Sequence, residues 1–192
     1  SLKTMPDKSV QMCVTSPPYY GLRDYGVDGQ IGLEKTPDEY IAKLVEIFRE
    51  VKRVLKDDGI LWVNIGDIYA GSGGAGGDYN NGGLKDGQPK WKSKLDIKVS
   101  NLKPKDLIGI PWMLAFALRS NGWYLRQDII WAKPSPLPES VKDRCTKSHE
   151  YIFLLSKSAR YYYNSDAICE PTKTKDNIIR QRYITKLNNT PG

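Results

Sequence analysis

The stretch Thr36–Gly59, TPDEYIAKLVEIFREVKRVLKDDG, followed at once by ILWVNIG, constrains the fold more than any other part of the chain. Thr36 is placed to cap a helix, Pro37 takes its first position, and Glu39 completes a T-x-x-E capping box. Tyr40, Leu44, Ile47, Val51, Val54 and Leu55 recur at intervals of three and four and form one apolar stripe, and Gly59 is expected to stop the helix. ILWVNIG then reads as a continuous apolar strand of the kind buried on both faces of a parallel sheet. Upstream, VQMCVT (Val10–Thr15) reads as a second short buried strand.

Further along, DLIGIPWMLAFALRSN (Asp106–Asn121) predicts a second helix ending at Gly122, with Pro111 imposing a kink or a late start. YLRQDIIWA predicts a strand, and HEYIFLLSKSARYYYN (His149–Asn164) a hairpin turning near Lys157–Ala159. Strand, helix, strand, helix, strand and terminal hairpin imply an α/β sheet with one reversed edge strand. Open α/β sheets bind ligands at the carboxyl ends of their strands, and TSPPYY sits at such an end.

Composition sets bounds around this frame. A chain of 192 residues, 40% hydrophobic and 27% charged, suits one ordered domain. Its net charge of +7 suits a polyanionic partner, and equally a merely basic surface. Cys13, Cys145 and Cys169 are odd in number and lack C-x-x-C spacing, which disfavours a disulfide framework or a zinc site and fits a reducing compartment. Cys13 reads as a small core residue. No apolar run approaches the ~18 residues of a membrane span, and no signal peptide opens the chain. SLKTMPDKSV, without an initiator Met, reads as the middle of a longer frame. The Gly-rich stretch Gly71–Lys94 lacks the G-x-x-x-x-G-K-[ST] order and reads as a surface loop whose lysines and Trp91 are free to touch a polyanion.

Ser16-Pro17-Pro18-Tyr19 is the feature that calls for a chemical explanation. Proline has no N–H, so the turn offers acceptors and few donors. The Ser16 hydroxyl and nearby carbonyls suit a donor-rich group such as the exocyclic amine of a nucleobase, and Tyr19 offers a flat ring for stacking. A rigid turn shaped by its prolines is the plainer alternative for these four residues alone.

Their context decides between the two. TSPPYYGLRDYG, QIGLEKTPDEYIAKLVEIFREVKRVLKDDGILWVNIGD and GWYLRQDIIWAKPSPLPESVKDRCTKSHEYIFLLSKSARYYYN, in this order, resemble the amino-methylating DNA methyltransferases. The likeness is to the branch whose catalytic motif precedes its cofactor motif. It implies a Rossmann-like sheet with a terminal antiparallel hairpin, lacking its cofactor-loop half. It implies that Ser16 and the Pro17 carbonyl accept hydrogen bonds from the target amine, that Pro18 shapes the elbow, and that Tyr19 stacks on a base flipped out of double-stranded DNA. S-adenosyl-L-methionine is the implied methyl donor, bound close to Ser16, with no metal. Ser at the first motif position usually accompanies N4 of cytosine, and Asp usually accompanies N6 of adenine. An N6-adenine enzyme, an inactive DNA-binding relative and an RNA methyltransferase are the alternatives.

Tyr20, Arg23, Lys133, Lys142 and Arg144 are candidate DNA contacts, the last three being equally readable as a solvated basic loop. Arg23, Asp24 and Tyr25 follow the clamp closely enough to order it or to bracket the flipped base. Ser135 stands where the family usually has Asn. Asp67 lines the cleft or caps a helix, and His149 reads as structural. The branch carries an F-x-G-x-G-type cofactor loop towards its C-terminus, which this chain lacks. Residues 1–170 therefore read as the catalytic part and 171–192 as the start of a target-recognition segment, with a longer parent or a complementary chain completing the site. A restriction endonuclease partner and a cytoplasmic location in a bacterium, archaeon or phage-encoded setting are also implied.

Overall fold

A computed structural model describes residues 2–22, 26–70, 102–139 and 141–169. Arg23, Asp24 and Tyr25, the 71–94 stretch and the 171–192 segment lie outside the described residues. The chain divides into two compact units, Ser1–Tyr162 and Tyr163–Gly192. Of the second, the described part holds a short 3-10 turn at Asp166–Ile168.

In the first unit the order is β1 (Val10–Thr15), α1 (Pro37–Val54), β2 (Leu55–Ile65), α2 (Ile110–Ser120), β3 (Tyr124–Ala132) and β4 (His149–Ser156). The strands form one sheet in the order β1-β2-β4-β3. β1 and β2 run parallel, and β4 runs antiparallel to both of its neighbours. The α/β class and Rossmann-like character therefore hold, with two corrections. The reversed strand lies inside the sheet rather than at its edge. The hairpin is β3–β4, not a fold-back within His149–Asn164. Both edges of β4 are taken, by Ile60–Ile65 of β2 and by Tyr124–Ala132 of β3, and the described residues after Ser156 form no further strand. Instead Lys157 N–H donates to the Gly59 carbonyl at 3.1 Å and Tyr162 N–H to the Asp58 carbonyl at 3.1 Å.

Helix α1 starts as its capping signals predict. Glu39 N–H donates to Thr36 Oγ1 at 3.2 Å, and Glu39 Oε2 accepts from Lys35 N–H at 3.1 Å. Its buried stripe is wider than the spacing of three and four picked out, since Ile41, Val45 and Phe48 join Tyr40, Leu44, Val51 and Val54. Each such large apolar side chain contributes roughly 1.5–3 kcal/mol on leaving water. The helix ends at Val54, and Leu55 is already extended. Gly59 is not its stop. It lies in β2 opposite a register shift, where a Cβ would meet the Lys56 carbonyl at 2.9 Å and the Gln11 carbonyl at 3.2 Å.

Helix α2 takes the late start that Pro111 allows, at Ile110. Its N-cap Gly109 offers no side chain, and Asp67 caps it from the end of β2, accepting from Gly109 N–H at 3.0 Å and Ile110 N–H at 3.0 Å. Strand β1 is not buried as expected. It occupies one end of the described sheet, with Met12 50% and Val14 69% exposed. Helices α1 and α2 pack with Leu61, Val63, Ile65, Phe153 and Leu155 in one core, which closes that face of the sheet.

Candidate active site

The parallel pairing of β1 with β2, Thr15 opposite Val63, brings both carboxyl ends to one edge of the sheet. The elbow leaves β1 there with Ser16 exposed, Pro17 buried, Pro18 exposed and Tyr19 half-buried. It is held from behind by α1, whose fully buried Tyr40 donates its hydroxyl to the Pro18 carbonyl at 2.8 Å. Burial, with Glu34 nearby, lifts the Tyr40 phenol above its usual range and keeps it a donor. Gly32 closes the return loop: its carbonyl accepts from Gly21 N–H at 2.8 Å, and a Cβ there would stand 2.8 Å from the Tyr19 carbonyl oxygen.

Two residues position the Tyr19 hydroxyl. Its Oη lies 2.8 Å from Asn64 Oδ1 and 2.8 Å from Glu150 Oε2. The ring rests against Gly66, where a Cβ would come within 2.6 Å of Tyr19 Cε2. Asn64 Oδ1 also accepts from Ser16 Oγ at 3.4 Å, while Asn64 Nδ2 donates to the Tyr151 carbonyl at 3.3 Å. Glu150 is further paired with Lys133. Asn64 lies opposite Ile152, and Glu150 is two residues from Ile152 along β4, so both share the sheet face away from the helices.

Electrostatics keep these groups in complementary states. Burial pushes the Tyr19 phenol up to about 12, opposed by Ser16 and reinforced by Glu150, so it stays protonated at neutral pH. Burial would raise the Glu150 carboxyl, yet hydrogen bonds from Lys133 and Tyr19 outweigh it and hold Glu150 below the usual carboxylate range. Its ionised interactions are complete above the ordinary carboxylate pKa and are lost as pH falls through the depressed one. Lys147 is lowered by burial, partly offset by Asp67, Glu150 and Glu139.

The other expected contacts distribute unevenly. Tyr20 is a core residue, 2% exposed and packed on Tyr40 with ring centroids 5.3 Å apart, which removes it from any DNA-facing surface. Lys133 is engaged by Glu150, and Arg144 by Glu139 and by the Tyr69 ring 4.1 Å away. Lys142 and Ser135 are exposed. His149 meets Tyr151 edge-on at 5.3 Å, in keeping with a structural role, and Asp67 is the helix cap. Asn64, Glu150 and Gly66 were not singled out from the sequence, and Tyr40 was read only as part of the apolar stripe of α1. Asn64 alone had a local signal, a polar side chain inside an apolar strand.

Over residues 10–190 the chain matches a family described as DNA methylase. The chain belongs to that family. It is 52% identical over 190 residues to Type II methyltransferase M.Cfr9I of Citrobacter freundii, spanning 99% of the chain and 62% of the relative. It is 52% identical over 189 residues to Type II methyltransferase M.SmaI of Serratia marcescens, spanning 96% and 63%. The chain thus covers slightly under two thirds of those relatives. PvuII DNA methyltransferase (cytosine-N4-specific) shares the fold at a TM-score of 0.58 and 16% identity, over 96% of this chain and 59% of that one. A Thermus thermophilus protein described as a candidate DNA modification methylase, complexed with S-adenosyl-L-methionine, shares it at a TM-score of 0.53 and 20% identity, over 92% and 54%.

Proposed function

We propose that this DNA methylase chain holds the target amine in an enzyme that methylates N4 of cytosine in double-stranded DNA, with the base flipped out of the helix. The observation that carries the reading is the acceptor set at the end of β1. Ser16 directs its hydroxyl hydrogen to Asn64, which leaves its lone pairs for a ligand. Tyr40 holds the Pro18 carbonyl, and the Pro17 carbonyl is, by the family resemblance, the elbow's other acceptor for the amine. Two acceptors engage both hydrogens of an –NH₂ group and orient its lone pair for in-line attack. As the new N–C bond forms and the donor's sulfur–methyl bond breaks to leave a thioether, they stabilise the positive charge growing on nitrogen, which then passes one proton to solvent. Tyr19 stacks on the flipped base.

S-adenosyl-L-methionine, when bound, supplies an electrophilic methyl carbon. Among the described residues no strand passes through a G-x-G-x-x-G turn straight into a helix. These residues fit the amine side of the reaction and not the adenosyl moiety, so every step above belongs to the chain's own groups. The Type II names of the relatives support a site-specific enzyme paired with a restriction endonuclease. Among the described residues no helix is long and apolar enough to cross a membrane, and we place the enzyme in the cytoplasm.

The choice of cytosine rests on Ser16 at the first motif position. Digestion of DNA methylated by the full-length enzyme should release N4-methylcytosine. N6-methyladenine alone would overturn the base and leave the clamp standing, and transfer to RNA alone would overturn the substrate. Ser16→Ala should lower kcat by roughly 10²–10³-fold, the scale of one lost preorganised contact, with the fold intact. Near-normal turnover by that variant would remove Ser16 from the clamp.

A further inference from the structure

We infer that Glu150 is a positioning residue for the stacking ring: held by Lys133, it takes the hydrogen of the Tyr19 phenol, fixing the ring and freeing Asn64 for Ser16. This rests on the methyltransferase reading above. The phenol has one hydrogen and two acceptors at 2.8 Å, Asn64 Oδ1 and Glu150 Oε2. A carboxylate is the stronger acceptor, so the hydrogen goes mainly to Glu150. Asn64 cannot answer by turning its amide, because Nδ2 is engaged by the Tyr151 carbonyl. Its Oδ1 is therefore available to Ser16, whose hydroxyl hydrogen must point away from the target amine for Ser16 to act as an acceptor.

Removing Glu150 would return the phenol hydrogen to Asn64 Oδ1, where it competes with Ser16. The ring would also lose the tether that holds it in place over Gly66. Lys133 engages the other carboxylate oxygen, so Glu150 is more than one half of a surface ion pair: it ties the end of β3 to the elbow after β1.

Steady-state kinetics and thermal melts on the full-length methyltransferase test the inference with Glu150→Ala, Glu150→Gln, Tyr19→Phe and the Glu150→Ala/Tyr19→Phe double variant. Glu150→Ala and Tyr19→Phe should each lower kcat about tenfold with little change in KM for DNA, as for one hydrogen bond to a charged group. The double variant should lose no more than either single one, because both remove the same contact. Glu150→Gln, whose neutral amide oxygen accepts no more strongly than Asn64 Oδ1, should fall between wild type and Glu150→Ala. Wild-type kcat in Glu150→Ala, or a multiplicative loss of about a hundredfold in the double variant, would overturn the role.

Should Glu150→Ala fail to fold, the pH profile decides. Lys133, Lys147 and Tyr19 are the titratable groups facing Glu150. Wild-type kcat should fall on acidification through a pKa below the usual carboxylate range, and Tyr19→Phe should lack that limb. Its persistence in Tyr19→Phe would overturn the role. Wild-type protein that transfers no methyl group to DNA would overturn the methyltransferase reading, and this inference with it. An active enzyme with a multiplicative double variant would overturn the Glu150 role alone.

Discussion

Leu61, Val63 and Ile65 turn from β2 towards the helices and are at most 1% exposed, while Trp62 and Asn64, between them, turn to the other face. On that second face Met12 and Val14 of β1 are 50% and 69% exposed, and Asn64 and Glu150 meet Tyr19. Among the described residues the same strands thus build a closed face packed on the helices and a second face, open at β1 although Ile60 and Leu154 are buried on it, that carries the polar network. The closed face gives the sheet its rigidity. The open face uses that rigidity to hold hydroxyl, amide and carboxylate groups at fixed distances, which the proposed clamp would require.

Cutting into the closed face should have the largest effect. Leu61 is fully buried between Cys13 of β1 and Leu155 of β4, its partners across the sheet. Leu61→Ala should cost about 2–5 kcal/mol in denaturant-induced unfolding, the range for a buried leucine whose cavity collapses only in part. A cost below about 1 kcal/mol would mean that this face is not the tightly packed one.

Much of the closed face was legible in the sequence because its signals are local. The Thr36 cap, Pro37 and the apolar stripe of α1 all lie within one segment, and the structure reproduces them. Features set by distant partners were legible at most as alternatives. Helix α2 takes the late start that Pro111 allowed, and Asp67, 43 positions earlier and read as either a cleft residue or a cap, supplies its cap. Strand β4 lies inside the sheet because β2 and β3 claim both its edges, and nothing in HEYIFLLS records which strands will compete for it. The open face was half legible. Ser16–Tyr19 is one motif, whereas the Tyr19–Glu150 contact spans 131 positions and exists only once the sheet is formed.

At the boundary between the faces, Gly66→Ala should have an intermediate effect. The added Cβ would overlap the Tyr19 ring at 2.6 Å, so the ring must leave its place or the end of β2 must shift. Overpacking of this kind costs about 1–3 kcal/mol. Melts should show a smaller loss than Leu61→Ala, with methylation by the full-length enzyme falling further than stability alone explains. Unchanged turnover would separate the ring's position from catalysis.

The smallest effect is expected at Val14, on the open face opposite Trp62. Val14→Thr keeps the β-branch and its preference for extended backbone while replacing a methyl group by a hydroxyl. At a position 69% exposed the hydroxyl remains hydrated, so the change should stay within about 0.5 kcal/mol in the 192-residue chain. The same substitution on the closed face would bury an unpaired hydroxyl and cost about 1–3 kcal/mol. Measuring Val14→Thr beside Val63→Thr, across β1 and β2 with the residue type held constant, gives the contrast between the faces directly. Equal losses at the two positions would show that Val14 is covered in solution, and the division of the sheet into a packing face and a working face would fail at β1.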